Sequence, residues 1–424
     1  MFSTGFFSTH LKVLLNIVIF CCFCNWARAI TLQSDVQALI ELKNAVEADS
    51  IGQTTCLGSW NFSVDPCDSR STNQFVCGIR CDVKTGGKSR VTSFALDGVG
   101  YRGYLSPYIG NLTELTELVL AGNGFHGSIP QSITGLARLY RLDLSGNMFS
   151  GPLPDSLGRL VNLQILSLGR NRFSGPVPGS LNNLKTLQRL DLSYNALSGT
   201  IPPLGGLGQL YNLDLSYNGF VGVIPSQLPV SLSQMTLRSN FLTGTLPASL
   251  SGLRGLGVLD LSGNRLSGSI DGLLFSHPEL QQLNLSNNSF TAISVPNMSG
   301  VESLLVAVDI GFNRISGLLP SNFSTLQSLS ALSLRYNGFQ GPIPAEYAVK
   351  AADGVKPLVR LFLDGNYLNG GVPAQFLKIP AEKISGSFAD NCLRSCPSSV
   401  ILCQGSQKPA TVCRRAYRRR AQVP

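Results

Sequence analysis

One frame recurs along this chain and constrains everything else about it: L-x-x-L-x-L-x-x-N, followed by x-[LF]-x-G-x-[ILV]-P. Its asparagine falls at Asn123, Asn147, Asn171, Asn195, Asn218, Asn240, Asn264, Asn288, Asn313, Asn337 and Asn366. Successive copies lie 22–25 residues apart, apart from a last step of 29. An opening copy, Val91 to Val99, has Val99 in the asparagine's place. A unit this short cannot bury its own apolar face, so the copies must stack side by side. A length of 424 residues would otherwise suggest two or three domains; the repetition overrides that expectation.

In Leu142-Asp143-Leu144 the alternation has period two, so the leucines point one way and the aspartate the other. Stacked copies therefore pair short strands into a parallel sheet. The leucines fill the interior, joined by Phe149, Phe173 and Leu197 from the following turns. Each asparagine sits where the chain leaves the strand, and its amide can satisfy backbone groups that stacking would bury. Gly127-Ser128-Ile129-Pro130, Gly151-Pro152-Leu153-Pro154 and Gly199-Thr200-Ile201-Pro202 mark the return turn. There glycine permits the bend and proline fixes φ where no donor is needed. Asp271 replaces that proline, and Phe290-Thr291-Ala292-Ile293 lacks the glycine, so irregular stacking is expected at these copies. The long last step predicts a short helix inserted around Ala345 to Lys356.

The flanks carry caps. Lys12 precedes an apolar run from Val13 to Cys24, and Ala27-Arg28-Ala29 has the small-x-small pattern of a cleavage site, so 1–29 reads as a secretory signal. The run is too short to span a bilayer, and no later stretch is apolar enough. The eight cysteines beyond it form two groups: Cys56, Cys67, Cys77, Cys81, and Cys392, Cys396, Cys403, Cys413. Even counts in an exported chain read as disulfides, each group allowing three pairings. Zinc is disfavoured because no histidine lies in either group. Ser34-Asp35-Val36-Gln37 reads as a capping box opening a helix with Val36, Leu39, Leu42 and Val46 on one face. The expected layout is a cap over 30–88, about twelve repeats over 89–380, a Cys-rich cap over 381–413 and a basic tail over 414–424.

On these motifs the chain resembles the extracellular leucine-rich-repeat proteins of plants: receptor-like kinase ectodomains, receptor-like proteins and polygalacturonase inhibitors. The ending Asp390-Asn391-Cys392-Leu393-Arg394-Ser395-Cys396-Pro397 is similar to a receptor-like-protein subgroup. The resemblance implies an α/β repeat fold, a right-handed leucine-rich-repeat solenoid with a parallel concave sheet and disulfide-stapled caps. It also implies a secreted binding protein of the apoplast or cell wall, not an enzyme, with no cofactor or metal. The implied partner is a protein, peptide or glycan, or the ectodomain of a membrane receptor kinase. Inhibition of polygalacturonase and a structural role in the wall are the alternative readings.

On the concave face the central column reads Val119, Asp143, Ser167, Asp191, Asp214, Thr236, Asp260, Asn284, Asp309, Ser333, Phe362. The neighbours Asp191 and Asp214 invite an acid–base reading, but Leu-Asp-Leu-Ser is the commonest filling of this frame, with Arg141 and Arg189 on the same face. Gly98-Val99-Gly100-Tyr101-Arg102-Gly103 occupies a turn, with Pro107 in place of a phosphate-binding helix. His126 and His277 read as isolated turn residues. The stronger signal is aromatic and basic: Tyr194, Tyr217 and Arg238, then Phe312, Arg335, Tyr336, Arg360 and Phe362. Such side chains anchor interfaces. Peptide-hormone receptors of this family read peptides along this face, although their Arg-x-Arg pair is missing here. Sequons at Asn61, Asn111, Asn284, Asn287, Asn297 and Asn322 are candidate glycosylation sites, Asn284 and Asn287 falling between the two patches. Arg414-Arg415-Ala416-Tyr417-Arg418-Arg419-Arg420 reads as a solvated tail able to attract acidic polymers, de-esterified pectin above all; nucleic acid is excluded by compartment. Removing Lys12 and Arg28 with the signal leaves 31 basic against 24 acidic residues, a net +7 that favours wall retention.

Overall fold

A computed structural model describes residues 30–420 except 69–73, 76, 84–86 and 301. The expected signal segment lies outside the described residues. β1 (Ile79–Val83) pairs antiparallel with β2 (Ser89–Ala95). Twelve further strands, from β3 (Glu117–Val119) to β14 (Ser385–Ser387), then add in parallel and in chain order. The register is regular: Leu118, Leu142, Leu166, Leu190, Leu213, Met235 and Leu259 stand directly beside one another, each no more than 1% exposed. Phe125, Phe149 and Phe173 stack behind them with centroids 6.2 Å apart.

The opposite side is built by the G-x-[ILV]-P segments. Gly127 and Gly151 take φ of +82° and +81°, and Pro130 and Pro154 lead into 3₁₀ turns, Gln131–Gly135 and Asp155–Arg159. Seven short strands between Arg102 and Leu242 form a second sheet here. Beyond it come a separate pair, Ser267–Ile270 with Ser289–Ile293, and a separate group of three from Ser316 to Leu368. The interruptions fall around Asp271 and Phe290, the copies lacking the proline and the glycine, while the concave sheet runs through unbroken.

The long last step holds α2 (Ala345–Ala351). At the start, α1 (Gln33–Asn44) differs from the capping-box expectation. Its N-cap is Leu32, with no side-chain bond, and Ser34 lies inside the helix. Asp35 is fully buried, paired with Arg90 at 2.9 Å and accepting from the Val91 N–H. That pairing turns the inward face to Asp35, Ala38, Leu39 and Leu42, leaving Val36 half-buried. Cys56–Cys77 and Cys67–Cys81 staple this cap around Trp60, whose indole N–H donates to the Cys77 carbonyl. Cys392–Cys413 and Cys396–Cys403 staple the other end. There the basic tail departs from the solvated-tail reading: Ala410–Arg420 forms a helix, α3, held by the Cys413 disulfide and by the Tyr417 hydroxyl donating to the Tyr367 carbonyl. Neither histidine is isolated. His126 meets Glu47 of the first cap at 3.4 Å, and His277 is buried against the Leu253 carbonyl at 3.0 Å.

Candidate ligand-binding surface

Each ladder asparagine has the same set of bonds. The Asn218 Nδ2 donates to the carbonyls of Leu192, Leu215 and Ser216, and its Oδ1 accepts from the Leu197 N–H. The column runs one copy further than the frame search found, because Asn391 makes the same bonds to Leu363, Phe388 and Ala389 and is fully buried. This amide ladder joins successive turns where their carbonyls leave the sheet, and it is structural.

The residue immediately before each of these asparagines has left-handed backbone. Gly122, Gly146, Gly263 and Gly365 fill the position in four copies. Arg170, Tyr194, Tyr217, Ser239, Asn287, Phe312, Tyr336 and Asp390 fill it in the others, with φ from +50° to +56°. For a residue with a Cβ this conformation costs on the order of 1–2 kcal/mol. Bulky side chains are therefore held here against a backbone preference that glycine satisfies.

The held side chains form two stacks. Tyr194 and Tyr217 lie with ring centroids 4.2 Å apart and planes 14° from parallel. The Arg170 guanidinium covers Tyr194 at 4.6 Å and Arg238 covers Tyr217 at 5.6 Å. Desolvation raises the Tyr194 hydroxyl above the ordinary tyrosine range, and its hydrogen bond with Tyr217 acts the same way. Arg170 escaped sequence reasoning because Gly-Arg-Asn reads as one more filling of the turn. Farther along, Phe312 and Tyr336 stack at 4.6 Å. Arg335 lies 5.0 Å from the Phe362 ring and is held by Asp364 at 2.7 Å, a buried carboxylate the sequence did not single out. Tyr336 packs over Gly365, where an added Cβ would come within 2.5 Å of the ring.

Arg360, exposed, stands beside this second stack. With Phe362 and Asn284 it walls a hollow of about 280 Å³ floored by Ala307, Ala331 and Ser333. The buried Ser333 hydroxyl has no hydrogen-bond partner among the described residues. Between the stacks lie the two sequons of this face. Asn287 is exposed and Asn284 half-buried, its Oδ1 accepting from Ser286. Of the remaining sequons, Asn61, Asn111 and Asn297 are exposed, while the Asn322 amide donates to the Val295 carbonyl at 2.9 Å.

The aspartate column is committed to its own turns. Asp143, Asp191, Asp214 and Asp260 each accept from the hydroxyl and the N–H of the serine two residues on. Asn284 makes both bonds with Ser286, so the position asks for an acceptor oxygen and not for a charge. Asp191 and Asp214 do stand side by side. Burial chiefly lifts the Asp214 carboxyl above its usual range, with Asp191 and Asp260 acting the same way. Arg141 pairs with Glu117 and Asp143.

No helix of the described residues is long and apolar enough to cross a membrane. The family model for a leucine-rich repeat region matches residues 90–358, and that for a leucine rich repeat N-terminal domain matches 32–75. Receptor-like protein 7 of Arabidopsis thaliana is 34% identical over 148 residues, covering 35% of this chain and 14% of that relative's length. Among solved structures, the plant peptide hormone receptor RGFR1 in complex with RGF2 aligns with a TM-score of 0.61 at 28% identity, over 72% of this chain and 52% of that one. A TDR receptor aligns with a TM-score of 0.63 at 31% identity, over 72% and 54%. The chain thus matches about a seventh of the curated relative and about half of each receptor structure. It belongs to the leucine-rich-repeat proteins, and its relatives there are plant receptor-like proteins and receptor ectodomains.

Proposed function

We propose that this protein is a secreted receptor-like binding protein whose concave face captures a peptide or the ectodomain of a receptor kinase through its two aromatic–arginine stacks. One observation carries the reading: tyrosine, phenylalanine and arginine occupy left-handed backbone positions that glycine fills elsewhere in the same column. All but the half-buried Tyr217 sit exposed, so packing alone does not account for them; Tyr194 is 42% exposed and Phe312 47%. Backbone strain kept at an outward position is characteristic of sites where a partner supplies the compensation. The similar receptor RGFR1 is a plant peptide hormone receptor seen in complex with RGF2, which supports a peptide as the partner. The second stack, with its neighbouring hollow, offers a guanidinium and an aromatic wall within one recess.

The test is capture of extracellular plant peptides and ectodomains by the full chain, read by crosslinking and mass spectrometry. Tyr194→Gly with Tyr217→Gly should reduce capture of a given partner at least tenfold while leaving the fold intact. Arg335→Ala is a poor probe, because it strands the buried Asp364 carboxylate and should destabilise by roughly 3 kcal/mol. Undiminished capture by the double glycine variant and by Arg360→Ala would defeat the proposal.

A further inference from the structure

The C-terminal cap carries a groove that the concave-face reading leaves unused. It has a volume of about 660 Å³ and runs between α3 and the loop that follows the last asparagine of the ladder. Arg414 and Arg418 form one wall. They are four residues apart on α3, so they share a face with about 6 Å of rise between them. Arg394 and Lys408 stand on the opposite side, and the Cys392–Cys413 disulfide ties the two walls together.

The charges here are largely uncompensated. Lys408 pairs with Asp390 at 2.9 Å. Among the described residues, Arg394, Arg414 and Arg418 make no ion pair, and Arg394 and both helix arginines are exposed. Three unpaired guanidinium groups on two facing walls raise the local potential and favour an anion lying between them. The groove's other features narrow the choice of anion. Its lining mixes polar and apolar surface, and of its apolar residues Leu393 is buried and Ala410 is small. The Tyr417 hydroxyl is already bonded to the Tyr367 carbonyl, so the guanidinium groups supply the free polar donors of the groove. Cations on both flanks suit a narrow chain lying in the groove, whereas a flat lipid surface would meet the outer rim alone. Arginine in place of lysine at three of four positions matches planar carboxylates, which accept two parallel hydrogen bonds from its fork.

We propose that this groove binds a linear polyuronate, an acidic polysaccharide with a free carboxylate on successive sugars. The site is separate from the concave face, so it stands or falls independently of the peptide-capture reading. It also sharpens the tail's role. The arginines act as a placed pair of walls fixed by a disulfide and not as loose cationic chain.

The experiment uses the full secreted chain and measures binding to de-esterified polygalacturonate, with highly methyl-esterified pectin as the uncharged counterpart. The wild type should bind the first, lose affinity steeply with added salt and leave the second unbound. Arg414→Ala with Arg418→Ala should weaken binding at least tenfold. Arg415→Ala with Arg254→Ala removes the same charge from exposed positions outside the groove and should change affinity less than threefold. Equal losses in the two double variants would reduce the effect to net charge and overturn the site. So would equal binding of the esterified polymer, or tighter binding to phosphatidylserine–phosphatidylcholine vesicles than to polygalacturonate.

Discussion

Two adjacent columns of this solenoid use neighbouring residues for opposite ends. The asparagine column has one solution, repeated from Asn123 to Asn391: an amide that donates to carbonyls of two successive turns and accepts from the N–H of one. The column immediately before it has one backbone conformation but many side chains, from glycine to arginine and tyrosine. Where the backbone alone must be satisfied, chemistry converges. Where the backbone would accept glycine, the side chain is free to vary, and in several copies it is large. The two columns lie one residue apart in sequence, so neither position in the chain nor the type of turn explains the difference.

The most severe way to test that distinction is Asn218→Val. It strands the buried Leu197 N–H and removes one of two donors from each of the Leu192, Leu215 and Ser216 carbonyls, which Asn195, Asn240 and the Tyr194 N–H still serve. A buried unpaired group costs ~1–3 kcal/mol, and the weakened carbonyl bonds add to it, so a loss of about 2–4 kcal/mol is expected. A lowered urea midpoint reads it. A loss under 1 kcal/mol would mean that the ladder is decoration.

That the ladder was legible in the sequence at all follows from its uniformity. A period near 24 with a fixed asparagine leaves one way to stack, and the strand register follows from the leucines. What lies outside the period was less legible. Asn391 was hidden because the cysteine ending around it breaks the leucine frame. The helix start was misplaced because Ser34 and Gln37, read locally, look like a capping box, whereas Asp35 between them is fixed by Arg90, 55 residues away. Disulfide pairing was open because four cysteines allow three connectivities. Tyr194, Tyr217 and Arg238 could be seen as residues, but their assembly with Arg170 into one stack depends on a left-handed backbone that no local pattern announces. The Arg335–Asp364 pair likewise joins side chains 29 residues apart.

A second test stays within the variable column. Gly146→Ala places a Cβ on left-handed backbone with its nearest neighbour at 3.5 Å, so conformational strain of about 1 kcal/mol is its whole expected effect. Gly365→Ala adds a collision with the Tyr336 ring at 2.5 Å, and should cost about 2–3 kcal/mol once overpacking is included. Removing the ring with Tyr336→Ala should bring the Gly365→Ala penalty back to the Gly146→Ala level. If it does not, Tyr336 is not seated on Gly365, and the second stack is looser than described.

Stability and recognition should part company at the first stack. Tyr194→Gly with Tyr217→Gly relieves strain of ~1–2 kcal/mol per residue. Against this stand the lost ring stack, about 0.5–1.5 kcal/mol, and the greater freedom of glycine in the unfolded chain, about 0.5–1 kcal/mol each. The net shift should stay within about 1 kcal/mol while capture falls. Loss of several kcal/mol would move these tyrosines to the structural side of the comparison.

The smallest expected effect concerns a charge that the column does not need. The Asp214 carboxyl pKa is raised above the usual carboxylate range, chiefly by burial, with Asp191 and Asp260 contributing. A carboxyl whose folded pKa is raised holds its proton more tightly when folded. Its contribution to stability is therefore greatest at or below the unfolded value and falls as pH rises through the folded one. Asp214→Asn keeps an acceptor oxygen for Ser216, as Asn284 already does for Ser286, and removes the ionisation. The variant should melt slightly above the wild type at pH 7, and the difference should vanish at pH 3, where both side chains are neutral. A variant that melts lower at pH 7 would show that the Asp214 charge contributes something an amide cannot replace. The aspartates would then belong with the variable, outward-directed residues and not with the structural ones.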